Sequence, residues 1–129
     1  MEKNFNLEII SPEKVLISEK VNSVTIPSFE GEMTILPEHI PLITFLRPGL
    51  ATVKGEKEIK YFVEEGTVEF SNNTLIILSS TIKLLENIKN VNLSKMIDDA
   101  KNQLNKDDIS DKQKYIISHK IDTLVKINQ

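Results

Sequence analysis

Histidine and glutamate side chains are the residues of this sequence that could support acid–base or metal chemistry. The two histidines are His39, in a turn, and His119, which lies off the apolar face of its predicted helix and is expected to be exposed. The carboxylate pairs are Glu64-Glu65 and Glu30 with Glu32. Paired carboxylates can act as general acid and base, but adjacent glutamates in a hairpin are usually solvated. We therefore predict no catalytic residues and no enzymatic activity.

Motifs that would hold a cofactor are missing from the sequence. There are no cysteines, which excludes disulfides and thiolate ligands. No group of histidine and acidic residues has the spacing of a zinc site. No Walker loop, dinucleotide fingerprint or nucleophile elbow occurs. We expect neither a metal nor a cofactor.

Charge and hydropathy restrict the possible partners. The net charge is −3, whereas nucleic-acid-binding proteins usually carry a clustered basic face, so no nucleic-acid partner is expected. The longest apolar runs span about five residues, and a transmembrane helix needs ~20. Direct insertion into a membrane is therefore not expected, and any role at a membrane would require a partner.

Residues 1–85 are predicted to form an antiparallel β-sandwich. Short segments alternate polar and apolar residues, which is the pattern of half-buried strands. They recur about every 8–12 residues with turn signals between them, as in a sandwich or barrel. The predicted strands are 4–9, 15–17, 21–26, 33–36, 42–46, 50–53, 59–63, 66–70 and 74–78.

Residues 86–129 are predicted to form an antiparallel two-helix hairpin. From about Asn92, a suitable N-cap, the apolar residues change to helical spacing. Ser110 and Gln113 form a capping-box pattern at the start of the second helix. The predicted apolar faces are Leu93, Met96, Ile97, Ala100 and Leu104 on the first helix and Ile117, Ile121, Leu124 and Val125 on the second. Both faces are narrow, so each helix must pack on the other helix, on the sandwich or on another protein.

Residues 24–49 carry the most specific pattern in the chain. A strand ending at Pro27 is followed by Glu30-Gly31-Glu32, a second strand, Leu36-Pro37-Glu38-His39-Ile40-Pro41-Leu42 and Leu46-Arg47-Pro48-Gly49. This order and spacing resemble the signature of the epsilon subunits of F-type ATP synthases. The resemblance extends over the whole chain, and on this basis the chain is identified as a member of that family.

The resemblance implies a non-catalytic subunit of the central stalk, at the cytoplasmic face of the bacterial inner membrane. It implies that the sandwich couples the gamma subunit to the c-subunit ring during ATP synthesis. Glu32 and His39 would face the c-ring, close together at one exposed end of the sandwich. Ser11, Pro41 and Leu42 would contact the gamma subunit. The hairpin would fold on the sandwich or extend to the alpha/beta catalytic head, contact it transiently and inhibit ATP hydrolysis.

Departures from the family pattern lead to two further expectations. The family usually has glycine at the positions of Ser28, Thr34, Glu38 and Glu65, and a side chain disfavours positive φ, so altered turns are expected. Some members bind ATP through a motif with an aspartate and an arginine, whose places are taken here by Lys89 and Asn92. We therefore expect no nucleotide binding.

The alternative is a generic β-sandwich module that binds proteins or carbohydrates. Carbohydrate-binding domains use exposed aromatic platforms. The chain has no tryptophan, and aromatic residues make up 5% of it, which disfavours the carbohydrate-binding alternative.

Overall fold

The structure is a computed structural model that describes residues 3–89 and 93–128. Within these ranges, strands are followed by helices, which confirms the predicted β-sandwich and helical hairpin. The strands are β1 (Phe5–Ile10), β2 (Val15–Val21), β3 (Ser23–Ser28), β4 (Gly31–Ile35), β5 (Leu42–Leu46), β6 (Gly49–Lys54), β7 (Glu58–Val63), β8 (Gly66–Ser71), β9 (Thr74–Leu78) and β10 (Lys83–Leu84). The helices are α1 (Leu85–Lys89), α2 (Leu93–Leu104) and α3 (Asp111–Ile127).

The strands form one curled sheet whose two halves face each other. Their order is β10-β7-β6-β3-β5-β8-β9-β1-β2, and β4 also pairs with β3. The pairs are antiparallel, as predicted, except that β1 runs parallel to β9, with Asn6 beside Thr74 and Ile10 beside Leu78. A parallel pair requires a long crossover, and here the intervening strands provide it. The first strand is thereby held beside the last long strand of the sandwich.

Alternation along the strands builds the main core. In β1, Phe5, Leu7 and Ile9 are at most 1% exposed, and their counterparts Leu75 and Ile77 in β9 are fully buried. The main cluster also takes in inward-facing residues of β2 to β8. A buried large aliphatic or aromatic side chain contributes about 1.5–3 kcal/mol, so this shared core holds the two halves of the sheet together.

The turns depend on residues that tolerate positive φ. Asn72 and Asn73, with φ of 51° and 55°, join β8 to β9, and a two-residue hairpin turn favours positive φ at both positions. Glu38, where the resemblance led us to expect an altered turn, has a positive φ of 63°. Its backbone N–H donates to Oδ1 of Asn73 at 2.8 Å, which ties the β4–β5 loop to this turn.

Two short elements were not predicted. β10 pairs with Phe62 and Tyr61 of β7, and α1 follows it directly. Elements this short contain too little sequence for a periodic pattern to be visible. The predicted capping box of α3 is confirmed, because the N–H of Gln113 donates to Ser110 Oγ at 3.1 Å and the N–H of Ser110 donates to Gln113 Oε1 at 2.8 Å. Asn92, the predicted N-cap of α2, lies outside the described residues.

Candidate functional site: the partner-facing surfaces

The outer surface of β6 and β7 is covered by the helices. Phe62 is 1% exposed although it points away from the main core. It belongs to a second apolar cluster in which α2 and α3 pack against the sheet, joined by Leu50 of β6. The helical members of this cluster are Ile88, Leu93, Ile97, Leu124 and Ile127. The hairpin is therefore folded on the sandwich.

A polar cluster borders this contact. Arg47, in the β5–β6 connection, donates from Nη1 to the hydroxyl of Tyr115 at 2.8 Å and to Nε2 of His119 at 3.2 Å. The Tyr115 hydroxyl donates in turn to the Phe29 carbonyl at 2.8 Å. The Tyr115 ring stacks on Phe29 and meets the His119 ring edge-on. Side chains of the sandwich and of α3 thus form one hydrogen-bonded chain.

The prediction that His119 is exposed was wrong, because its side chain is half-buried in this cluster. Burial and, secondly, the charge of Arg47 lower the pKa of His119 below its ordinary value of 6.5, while Asp122 acts in the opposite direction. Arg47 carries only donors, so the Nε2 atom that faces it must be an acceptor. The structure therefore requires neutral His119.

The outer surface of β5, β8, β9, β1 and β2 carries exposed apolar side chains. Phe45 lies opposite Thr67, and Thr67 lies opposite Leu78. Leu78 is beside Ile10, which is paired with Val15. The outer apolar face, defined as Val15, Ile43, Phe45 and Leu78, has exposed fractions of 56%, 75%, 58% and 48%. Contiguous exposed apolar patches of this kind mark sites of interaction.

A groove connects the outer apolar face to the first turns of α3. Its volume is about 1310 Å³, and Phe45 and Leu78 line it together with Ser11 and Pro12 on one side and Ile116 of α3 on another. Ser11 is half-buried and bonds locally, its N–H donating to the carbonyl of Lys14 at 2.9 Å. A partner on this face would reach both the sandwich and the hairpin.

Glu32 and His39, the predicted c-ring residues, lie near opposite ends of β4. Glu32 is exposed on β4, opposite Pro27. His39 is half-buried beyond the other end of β4, its Nδ1 lies 2.7 Å from the Ile40 carbonyl oxygen, and its ring meets Phe70 edge-on. The described contacts of Glu32 and His39 go to different neighbours. Their predicted proximity stays a prediction.

Pro41 and Leu42, which the family resemblance assigned to the gamma contact, lie at the start of β5. Pro41 is exposed. Leu42 is half-buried and packs against the main core. They are next to Ile43, at the end of the outer apolar face away from Ser11.

Comparison with known proteins shows the family to which the chain belongs. A family model described as "ATP synthase, Delta/Epsilon chain, beta-sandwich domain" matches residues 4–84. An ATP synthase epsilon chain of Pelagibacter ubique is 41% identical over 130 residues, which cover 99% of this chain and 100% of that relative. One of Allorhizobium ampelinum is 40% identical over 106 residues, covering 81% and 78%. The chain belongs to the epsilon-chain family of ATP synthases.

Solved structures agree on the fold. A chain of the Euglena gracilis mitochondrial ATP synthase, from a cryo-EM structure of OSCP/F1/c-ring, has a TM-score of 0.82 at 21% identity and covers 100% of this chain and 84% of its own length. A chain from the central stalk/c-ring of the Tetrahymena thermophila mitochondrial enzyme has a TM-score of 0.67 at 14% identity, covering 99% and 98%. An epsilon chain is a subunit of the ATP synthase and not itself catalytic.

The residues predicted to form the apolar faces of α2 and α3 differ in burial. Leu124 is fully buried, and Leu93, Ile97 and Ala100 are at most 8% exposed. Met96, Leu104, Ile117 and Ile121 are half-buried. Val125 is 38% exposed, so its inclusion in the apolar face was wrong. The helix period turns Val125 away from the neighbouring Leu124, and the contact is too narrow to cover both.

Sequence reasoning missed several residues of the contact. Tyr115, His119, Thr123 and Ile127 recur every four positions on α3, and this spacing was the available signal because such residues share a helix face. Thr123 is buried and donates to the His119 carbonyl at 2.8 Å. Because three of these four side chains carry polar groups, the face does not form an apolar stripe in the sequence.

Two absences hold for the part of the chain that the structure describes. None of its helices combines the length and apolar character needed to cross a membrane. Among residues 3–89 and 93–128, no three histidine or acidic side chains gather as metal ligands would.

Proposed function

We propose that this chain is a non-catalytic rotor subunit of the central stalk of a proton-translocating F-type ATP synthase. Its sandwich couples the gamma subunit to the c-subunit ring during ATP synthesis. The observation that carries the proposal is the outer apolar face, which remains exposed while the opposite outer surface is covered by the chain's own helices. A rigid sandwich with one covered and one exposed face suits a part that must transmit torque through a partner.

The gamma subunit is the proposed occupant of the outer apolar face. Stable interfaces bury roughly 1,000 Å² or more and are apolar at their centre. The face offers Phe45 as an aromatic anchor, and the groove beside it contains Ser11, which the family resemblance assigns to this contact. Pro41 and Leu42 extend the proposed contact along β5.

The c-ring contact is proposed at Glu32 and His39. Glu32 is exposed and carries a charge that would meet polar loops of the ring. His39 is half-buried, and its ring packs on Phe70, so substitution of Glu32 is the one expected to change binding with little effect on folding. The subunit would sit peripherally at the cytoplasmic face of the bacterial inner membrane and be held there by its partners.

The hairpin is proposed to regulate ATP hydrolysis. Here it is folded on the sandwich through the second apolar cluster. Released from it, Leu93, Ile97 and Leu124 would be free to pack along the gamma subunit and to contact the alpha/beta head transiently. One apolar surface can serve either arrangement, and a partner that binds the released form better shifts the balance toward it.

Binding of the gamma subunit tests the proposal. The double variant Phe45→Ser, Leu78→Ser should retain the thermal transition of the parent chain, because both side chains are already exposed, and should lose the gamma subunit in a co-purification assay. Val125→Ser is the matched control, since Val125 is 38% exposed but lies on α3. Unchanged gamma binding by the double variant would exclude the outer apolar face as the contact.

The alternative of a generic binding module is less well supported. Of the aromatic side chains, Phe45 is the exposed one, whereas Phe5, Phe62, Phe70 and Tyr61 are buried. A single exposed phenylalanine does not make the platform on which sugars stack. Recovery of sugar binding on a glycan array would favour that alternative.

A further inference from the structure

Arg47 has an unusual environment at the edge of the contact between helix and sandwich. It is the only arginine in the chain, and its Nε atom is buried without a hydrogen-bond partner among the described residues. Its Nη1 donates to two neutral acceptors on α3, the Tyr115 hydroxyl and His119 Nε2. No described carboxylate forms an ion pair with it. The positive charge of Arg47 is thus held against α3 by neutral groups.

Protonation of His119 would reverse one of these contacts. Neutral His119 accepts the Arg47 hydrogen at Nε2, whereas an imidazolium is a donor at both nitrogens. The two donors would then face each other across 3.2 Å, and both would be positively charged. The hydrogen bond would be replaced by repulsion between the sandwich and α3.

The other charges near His119 oppose this effect only in part. Asp122, on the same helix, favours the protonated ring, while burial and Arg47 disfavour it more strongly, so the net direction of the His119 pKa is downward. Tyr115 presents its ring edge-on and adds no charge. Lys120 is engaged by Glu64 of the sandwich at 2.7 Å, and Lys112 lies over the Phe29 ring.

We propose that Arg47 and His119 form a pH-sensitive latch, which holds the hairpin on the sandwich while His119 is neutral and releases it when His119 is protonated. The latch itself is a property of the isolated chain. Its consequence, that acidification makes the hairpin available to other subunits, rests on the proposed function.

The direction of the pH effect follows from linkage. In the released hairpin, His119 would titrate near its ordinary value of 6.5, and in the docked hairpin its pKa is lower. The docked state therefore binds fewer protons and is fully favoured above about pH 6.5. As the pH falls below this value, the ratio of docked to released hairpin decreases until the docked-state pKa is reached. The total decrease is about tenfold for each unit that separates the two pKa values.

Energy transfer between two labels tests release directly. The chain has no cysteines, so Glu30→Cys in the β3–β4 turn and Lys114→Cys in α3 give unique labelling sites at exposed positions. In the labelled full-length chain, transfer should fall as the pH is lowered from 8 to 5. His119→Gln should remain docked and lose this dependence, because its amide oxygen still accepts from Arg47. His39→Gln should behave like the parent chain.

Proton NMR supplies a second readout that a merely structural role would not change. The two histidines give separate ring signals. His119 should titrate below its ordinary range, and Arg47→Gln should raise its pKa. The proposal is overturned if His119→Gln keeps the pH dependence of the parent, if the parent remains docked at pH 5, or if His119 titrates normally. None of these results affects the gamma-binding assay, so failure of the latch and failure of the proposed function are distinguishable.

Discussion

Lys120 Nζ lies 2.7 Å from Glu64 Oε1, and this ion pair joins α3 to the residue that follows β7. The two side chains are 24% and 31% exposed, so the pair is partly shielded from solvent. It is a second polar link between helix and sandwich, on the same helix as His119. Unlike the contact between Arg47 and His119, it joins opposite charges and is expected to stabilise docking over the whole neutral range.

Breaking this ion pair should weaken docking of the hairpin modestly. A partly exposed pair contributes about 0.5–1 kcal/mol. Lys120→Gln and Glu64→Gln should each lower the energy-transfer signal, and the double variant should show a coupling of that size in a double-mutant cycle. Glu58 and Lys60, which are 3.9 Å apart and about half exposed, provide the control cycle, for which no measurable coupling is expected. Equal coupling in both cycles would contradict the role given to Lys120.

Leu124 should be the most sensitive position of the hairpin. It is fully buried in the second apolar cluster, and replacing a buried leucine with alanine costs about 2–5 kcal/mol. Leu124→Ala should therefore accelerate amide hydrogen exchange in α2 and α3 while protection in β1 and β9 is retained. Val125→Ala, at an adjacent and exposed position, should change exchange little. Loss of protection throughout the sandwich would show that the hairpin and the sheet unfold as one unit.

The strands were predictable because alternation and turn residues are local properties. β5 and β9 start and end where the pattern predicted, and β8 runs one residue further, to Ser71. The segment from Leu42 to Leu46 also contained a further signal, because Ile43 and Phe45 make it apolar on both faces. An antiparallel strand with one solvated face normally alternates, so a second apolar face indicates a second buried surface. The structure leaves that surface exposed.

The surroundings of His119 could not be predicted in the same way. The sequence shows which residues share a face of α3, but it does not show that Arg47, far away along the chain, lies beneath that face. Three-dimensional packing of the hairpin on the β5–β6 connection creates the contact. Likewise, the sequence indicated that Glu32 and His39 belong to turns, while the contacts of His39 depend on how the β4–β5 loop packs on Phe70 and Asn73.

Gly66 should tolerate no side chain. Its φ of +157° disfavours other residues, and a Cβ would lie 2.6 Å from the Leu78 carbonyl oxygen. Strained backbone and steric overlap together cost roughly 2–4 kcal/mol. Gly66→Ala should therefore lower the midpoint of thermal unfolding. Gly55→Ala is the matched control, since its nearest neighbour would be at an ordinary 3.5 Å, and it should change stability by less than about 1 kcal/mol. Equal effects would mean that the β7–β8 turn can rearrange.

The isolated chain should not bind ATP tightly. By resemblance, Lys89 and Asn92 stand at the places of the acidic and basic residues of a nucleotide motif that some family members carry, and Asn92 lies outside the described residues. Calorimetric titration with ATP should show no micromolar binding. The double variant Lys89→Asp, Asn92→Arg restores both residue types and tests whether the motif alone is sufficient. Micromolar affinity of the parent chain would disprove the expectation.

We propose that residues 1–85 are sufficient for assembly and that residues 86–129 regulate. The main core draws its buried members from residues 5–82, so a chain truncated after Asn90 should keep a folded sandwich. Phe62 and Leu50 would lose the helices that cover them. Exposing such apolar side chains costs about 1.5–3 kcal/mol each, so the truncated chain should be less stable than the parent. Phe62→Ser in the truncated chain should recover solubility if exposed Phe62 promotes association.

Assembly and hydrolysis then distinguish the roles of the two parts. The truncated chain should co-purify with the gamma subunit, because the outer apolar face lies on β2, β5 and β9 and remains intact. ATP hydrolysis by the reconstituted complex should rise or stay unchanged, since the hairpin that could contact the catalytic head is gone. Circular dichroism should first establish that the sandwich is folded. A folded truncated chain that fails to join the gamma subunit would place the hairpin in the clamp itself, because the sandwich surface would then be present but insufficient for binding.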